Sequence, residues 1–75
     1  MSHGLPRVTA SQIIAVLEKV DFVFTRQSGS HKIYKTANGN RVTVPFHGAK
    51  ILHPKILKSI MNDAGLDLEK LEQLL

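Results

Sequence analysis

The 75-residue chain contains no cysteine, which excludes a disulfide framework and a thiolate zinc site, the staples on which many domains this small depend. A reducing compartment, by default the cytoplasm, is the expectation. No apolar segment approaches the roughly 20 residues a membrane helix needs, and no basic stretch near Met1 leads into an apolar run, so no membrane association is expected. No repeat, low-complexity tract or linker rich in Pro, Gly or Ser divides the chain. It reads as one domain over 1–75, with residues 1–7 expected to be flexible. Nor do carboxylates cluster at the spacing of metal ligands, so neither a metal nor any other cofactor is expected.

What the chain does carry is positive charge. Ten Lys and Arg against six Asp and Glu give a formal net charge of +4 and a pI near 9.8. Such a balance lowers the cost of approaching a polyanion, although a merely soluble basic domain fits it equally well.

The first helix is announced by Thr9 as N-cap with Gln12 three residues on, a capping box, and by Val8 placed to staple against Ile13. Ile13, Val16, Leu17 and Val20 then recur at helical spacing as one apolar stripe. After Asp21, the run Phe22-Val23-Phe24-Thr25 favours a strand to about Gln27. Ser28-Gly29-Ser30 reads as a turn, His31 to Ala37 as a second strand, Asn38-Gly39 as a two-residue hairpin loop and Asn40 to Val44 as a third strand. That loop sets Ile33 opposite Val44 and Lys35 opposite Val42. His31, Ile33, Val42 and Val44 then share one face, and Lys32, Tyr34, Arg41 and Thr43 the other.

Pro45 ends the ladder because it has no N–H to donate, and Phe46 to Leu52 forms a loop before Pro54 opens a second helix that Gly65 caps. Ile56, Leu57, Ile60, Met61 and Ala64 form its expected buried stripe. Asp67 to Leu75 reads as a short amphipathic helix with Leu66 as its staple and Leu68, Leu71 and Leu75 on one side. A helix this short is marginal in water and must dock on the domain or on a partner. The resulting fold is α+β, helix, three-stranded antiparallel sheet, helix (α-β-β-β-α), plus a short C-terminal helix, an order similar to that of double-stranded-RNA-binding domains.

The segment richest in chemistry is Arg26-Gln27-Ser28-Gly29-Ser30-His31, where a flexible turn delivers an imidazole to the start of a strand, beside an arginine one strand away. A base with a near-neutral pKa can take the proton of a ribose 2′-hydroxyl, and Arg26, Lys32 and Lys50 are the nearest cations for the phosphorane charge that follows. On the residues alone, a hydrogen-bonded histidine at the core margin is the commoner role for His31. His47 can serve as the conjugate acid, bind phosphate or cap its loop. His53 beside Pro54 is expected to start the helix, and His3 lies in a disordered-looking end. A zinc site from His31, His47 and His53 matches no ligand spacing. Lys50, Lys55 and Lys58 form a basic strip suited to backbone phosphate, or a solvated surface.

Across nearly its whole length the chain resembles the HicA (YcfA-like) toxin family. The likeness is carried by Leu5 to Val8, the first helix, Phe22, Arg26-Gln27, Gly29-Ser30-His31, Tyr34, Asn38-Gly39, Val42 to Pro45, His47-Gly48, Leu57-Lys58-Ser59-Ile60 and Ala64-Gly65. The chain departs from it at Asp21, where a glycine commonly precedes the phenylalanine, and at Lys55, near a place often held by a small residue. The resemblance implies an mRNA-cleaving toxin with His31 as its catalytic histidine and a HicB-like antitoxin as partner. Substrate contacts are then expected from Arg26, Ser30, Lys32, His47, Lys50, Lys55 and Lys58. A non-catalytic RNA-binding module of the same fold is the alternative.

Overall fold

Thr9 turns the chain into α1 (Ala10–Lys19). Its hydroxyl accepts from the Gln12 N–H at 3.2 Å, while the Gln12 side chain accepts from the Thr9 N–H at 2.8 Å. This is the capping box read from the sequence, and Val8 and Ile13 are both buried beside it. The structure is a computed structural model that describes residues 4–75, so the disordered-looking end assigned to His3 lies outside the described residues, as does the flexibility expected of 1–3. Within the rest of the leading segment, Leu5 is half-buried against the core. The Val8 carbonyl accepts from the Leu52 N–H at 2.8 Å, and Thr9 bridges Ile51.

Three strands follow: β1 (Val23–Ser28), β2 (His31–Lys35) and β3 (Arg41–Pro45), an antiparallel sheet with β2 in the centre. The chain closes with α2 (Pro54–Ala64) and α3 (Leu68–Leu74), giving the α-β-β-β-α order plus a C-terminal helix. The helices pack on one face of the sheet. There Tyr34, Val42 and Val44 meet Ile13, Val16 and Leu17 of α1, Leu57, Ile60 and Met61 of α2, and Leu71 of α3. No helix among the described residues is long and apolar enough to cross a membrane.

The register of β2 corrects the sequence reading. Tyr34 pairs with Val42 and Lys32 with Val44, so Ile33 lies opposite Thr43 and Lys35 opposite Arg41. The cause is one extra loop residue. The Thr36 carbonyl accepts from the Gly39 N–H at 3.0 Å, the Thr36 hydroxyl accepts from the Asn40 N–H at 3.1 Å, and Gly39 has φ 90°. This is the three-residue loop in which a turn is followed by a left-handed glycine, rather than the two-residue loop that Asn-Gly suggests. Side chains alternate with period two, so one residue of slip exchanges the faces of β2 while β3 keeps Val42 and Val44 inside. Tyr34 therefore joins the core, edge-on to Phe24 with ring centroids 5.7 Å apart. Burial, and then the Glu18 carboxylate, push its phenol pKa upward. His31 moves to the open face.

Two helix assignments shift as well. Ile56 is exposed, not part of the α2 stripe, and on α3 Leu74 rather than Leu75 leans on the core. The ends of α2 match expectation. His53 is the N-cap, its Nδ1 accepting from the Lys55 N–H at 3.0 Å, and Gly65 caps the C-terminus at φ 70°.

Between α1 and β1 the chain reverses through Asp21 at φ 73°, the single non-glycine residue with positive φ among the described residues. L-residues pay a steric cost there that glycine does not. Asp21→Gly is expected to raise stability by up to about 1 kcal/mol, which in a domain of this size lifts Tm by roughly 4–8 °C. Thermal unfolding followed by circular dichroism checks this, and a lower Tm would show that the aspartate side chain offsets its own strain.

Candidate active site

The open face of the sheet is built around a two-residue hairpin. Ser28 pairs with His31, and Gly29 takes the first loop position at φ 59°, where a type II′ turn requires glycine. The loop is held on both sides. Gln27 Nε2 donates to the Gly29 carbonyl at 2.9 Å, and the Phe46 N–H donates to the Ser30 carbonyl at 2.7 Å. His31 is thus the first residue of the central strand, paired with Ser28 on one side and Pro45 on the other, and its side chain is exposed.

Arg26 reaches the same face through an irregularity. Phe24 pairs with core-facing Tyr34, and in a regular strand Arg26, two residues on, would face the core too. A β-bulge at Thr25 sets Arg26 opposite Ile33 instead and turns it outward. Arg26 and His31 are then diagonal neighbours on one face, their backbones roughly 7–8 Å apart. Ile33 lies between its register partners Arg26 and Thr43, buried although it is outside the main core.

The other residues expected at the site separate into three groups. Ser30 sits in the hairpin turn, half-buried. Lys32 belongs to the opposite face, its ammonium 3.9 Å from the centroid of the Phe46 ring, a cation–π contact. His47 and Lys50 are exposed in the loop after β3, where the Lys50 N–H donates to the His47 carbonyl at 3.3 Å. They line a cavity that begins at Pro45, the register partner of His31. Lys55 and Lys58 border a separate depression on the flank of α2, which shares no residue with that cavity.

Sequence reasoning missed two further cations. Lys35 and Arg41 face each other across β2 and β3 on the His31 side and are both exposed. Like charges directly opposite destabilise a sheet, whereas an anion lying across them would satisfy both. The signal for them was the alternation itself, hidden by the misjudged loop length. Among the described residues, no three of His, Cys, Asp and Glu gather to hold a metal ion.

The arrangement offers a proton acceptor in the open, a guanidinium beside it and further cations along the same face, suited to chemistry at a phosphate. Residues 10–66 match the family model described as the HicA toxin of bacterial toxin–antitoxin pairs. No curated protein matches the chain at a significant level. The family match runs from the first residue of α1 to just beyond the Gly65 cap. A match that covers well over half of the 75 residues, with the whole sheet and the His31 hairpin inside it, means that the chain belongs to the HicA toxin family.

Proposed function

We propose that this toxin is an endoribonuclease that cleaves messenger RNA without a metal ion, with His31 as general base. The observation that carries the proposal is the exposed His31 imidazole at the head of the central strand, on the same face as Arg26. His31 takes the proton of a ribose 2′-hydroxyl, and the freed oxygen attacks the adjacent phosphorus. The bond from phosphorus to the 5′-oxygen of the next nucleotide breaks. The products are a 2′,3′-cyclic phosphate and a 5′-hydroxyl, the latter taking its proton from the imidazolium of His31 or from His47 as acid. Arg26 compensates the charge that develops on the phosphorane oxygens. Lys35 and Arg41, along the same face, hold the flanking backbone, whose contacts position the strand without reading bases. Lys50, Lys55 and Lys58 extend the phosphate path, while Ser30 shapes the turn. A HicB-like antitoxin protein is the partner the family implies, covering this face in the cytoplasm until the toxin is released.

The test is direct. Purified chain incubated with messenger RNA in excess EDTA is expected to cleave it, leaving cyclic phosphate ends. Dependence on an added divalent cation would overturn the metal-free mechanism. Retained binding with no cleavage at any pH between roughly 5 and 8, the range over which imidazoles in general change charge, would leave a non-catalytic RNA-binding module.

A further inference from the structure

We propose that the cavity between the end of β3 and the start of α2 is a subsite for one base of the RNA, adjoining the phosphate on which His31 acts. The inference rests on the ribonuclease reading and adds to it the place where bases are discriminated. The cavity measures about 360 Å³ and is lined by Pro45, His47, Lys50, Ile51, His53 and Ile56, at the lower end of the roughly 300–1,000 Å³ that single small ligands occupy. Its walls suit a flat, partly apolar ring. Ile51 and Ile56 are 43% and 38% exposed, so two aliphatic side chains stand open to a ligand on the cavity wall. The two imidazoles can stack on such a ring, as histidines do on unstacked RNA bases.

The polar groups match as well. His53 Nδ1 accepts the Lys55 N–H, so the hydrogen of the neutral ring sits on Nε2. His53 is also a wall of the cavity, and in that tautomer its Nε2–H suits an acceptor on a base edge. Lys50 adds a positive charge for the phosphate joined to that base. Position supplies the remaining argument. Pro45 is at once a wall of the cavity and the register partner of His31, so their Cα atoms lie about 5 Å apart. The Phe46 N–H bond to the Ser30 carbonyl ties the loop that carries the cavity to the hairpin that carries His31. Two recognition elements this close address the same nucleotide or its neighbour. A pocket for one base would let the enzyme prefer certain cleavage sites, whereas the lysines on phosphate would serve every site alike.

The experiment uses the full-length His31→Ala chain and a short fluorescent RNA spanning a cleavage site mapped with the wild-type chain. A series of otherwise identical RNAs each lacks one base. Removing the base next to the mapped site is expected to weaken binding about tenfold, the scale of one stacked base, with smaller losses elsewhere. Adding Ile51→Ala and Ile56→Ala should weaken binding of the intact RNA by a similar factor and abolish the effect of the missing base. Adding His53→Asp instead keeps an acceptor for the Lys55 N–H, so α2 stays capped, and should also shrink that effect. Equal losses at all positions, an effect that survives the double isoleucine change, or no RNA binding at all would each overturn the subsite. If the wild-type chain cleaves no RNA, the same series built on a short RNA that the chain binds takes its place, and a position-specific loss that the isoleucine changes remove would defeat the ribonuclease reading and leave the base site standing.

Discussion

Replacing His31 with alanine is expected to lower the rate of RNA cleavage by roughly 10²–10⁴-fold, the contribution of a positioned general base, and to abolish growth arrest on expression. The fold should survive. His31 is exposed and holds its place through backbone pairing with Ser28 and Pro45, which alanine reproduces, so stability should change by no more than about 0.5 kcal/mol. RNA affinity should also persist, because Arg26, Lys35 and Arg41 remain on the same face to meet phosphate. A fall in kcat with unchanged binding and Tm separates loss of the base from loss of the surface. Arg26→Ala makes the useful contrast. It removes a phosphate contact as well as charge compensation, so binding and kcat should fall together, and the dependence of affinity on salt should become shallower. Cleavage by His31→Ala at the wild-type rate would take the imidazole out of the mechanism.

The strand faces decide which residues can share that chemistry, and they were the part of the fold hardest to read. The capping box at Thr9, the His53 cap and the Gly65 terminus are local, each set by residues within about four positions, and each appears where the sequence places it. The family likeness likewise rested on short motifs kept in order, and the match over residues 10–66 agrees with it. Register differs because it depends on a single count. Asn38-Gly39 suits either of two loop lengths. The choice fell to Thr36, whose hydroxyl accepts from the Asn40 N–H, and to Gly39, which takes the left-handed position alone. One residue of difference carried His31 from an expected core face to the open one and Lys32 the other way. The Thr25 bulge was invisible for a similar reason, since no residue type requires a bulge and its effect on Arg26 exists only once β2 lies beside it. The exposure of Ile56 was equally hidden, because helical spacing shows that a residue adjoins the apolar stripe but not where the stripe ends.

The helix that lies beyond the family match yields the second large effect. α3 begins after residue 66, where the match ends, and at seven residues it would not persist alone in water. Its place is set by contacts. Asp67 caps it by accepting the Lys70 N–H at 2.7 Å, Lys19 of α1 donates to the Leu74 carbonyl at 2.7 Å, and Leu71 is fully buried in the common core. Leu71→Ala is therefore expected to cost about 2–5 kcal/mol, against a total of roughly 4–11 kcal/mol for a chain of this length. Chemical denaturation should show a midpoint shifted by a large fraction of its value with little change in slope. Leu75→Ala, at a side chain 49% exposed, should shift it by no more than about 0.5 kcal/mol. If both variants unfold like the wild type, α3 is not docked in solution and its apolar side is free for a partner. If only Leu71→Ala fails, the C-terminal helix is part of the core that holds α1 against the sheet, and truncating it would unfold the hairpin that presents His31.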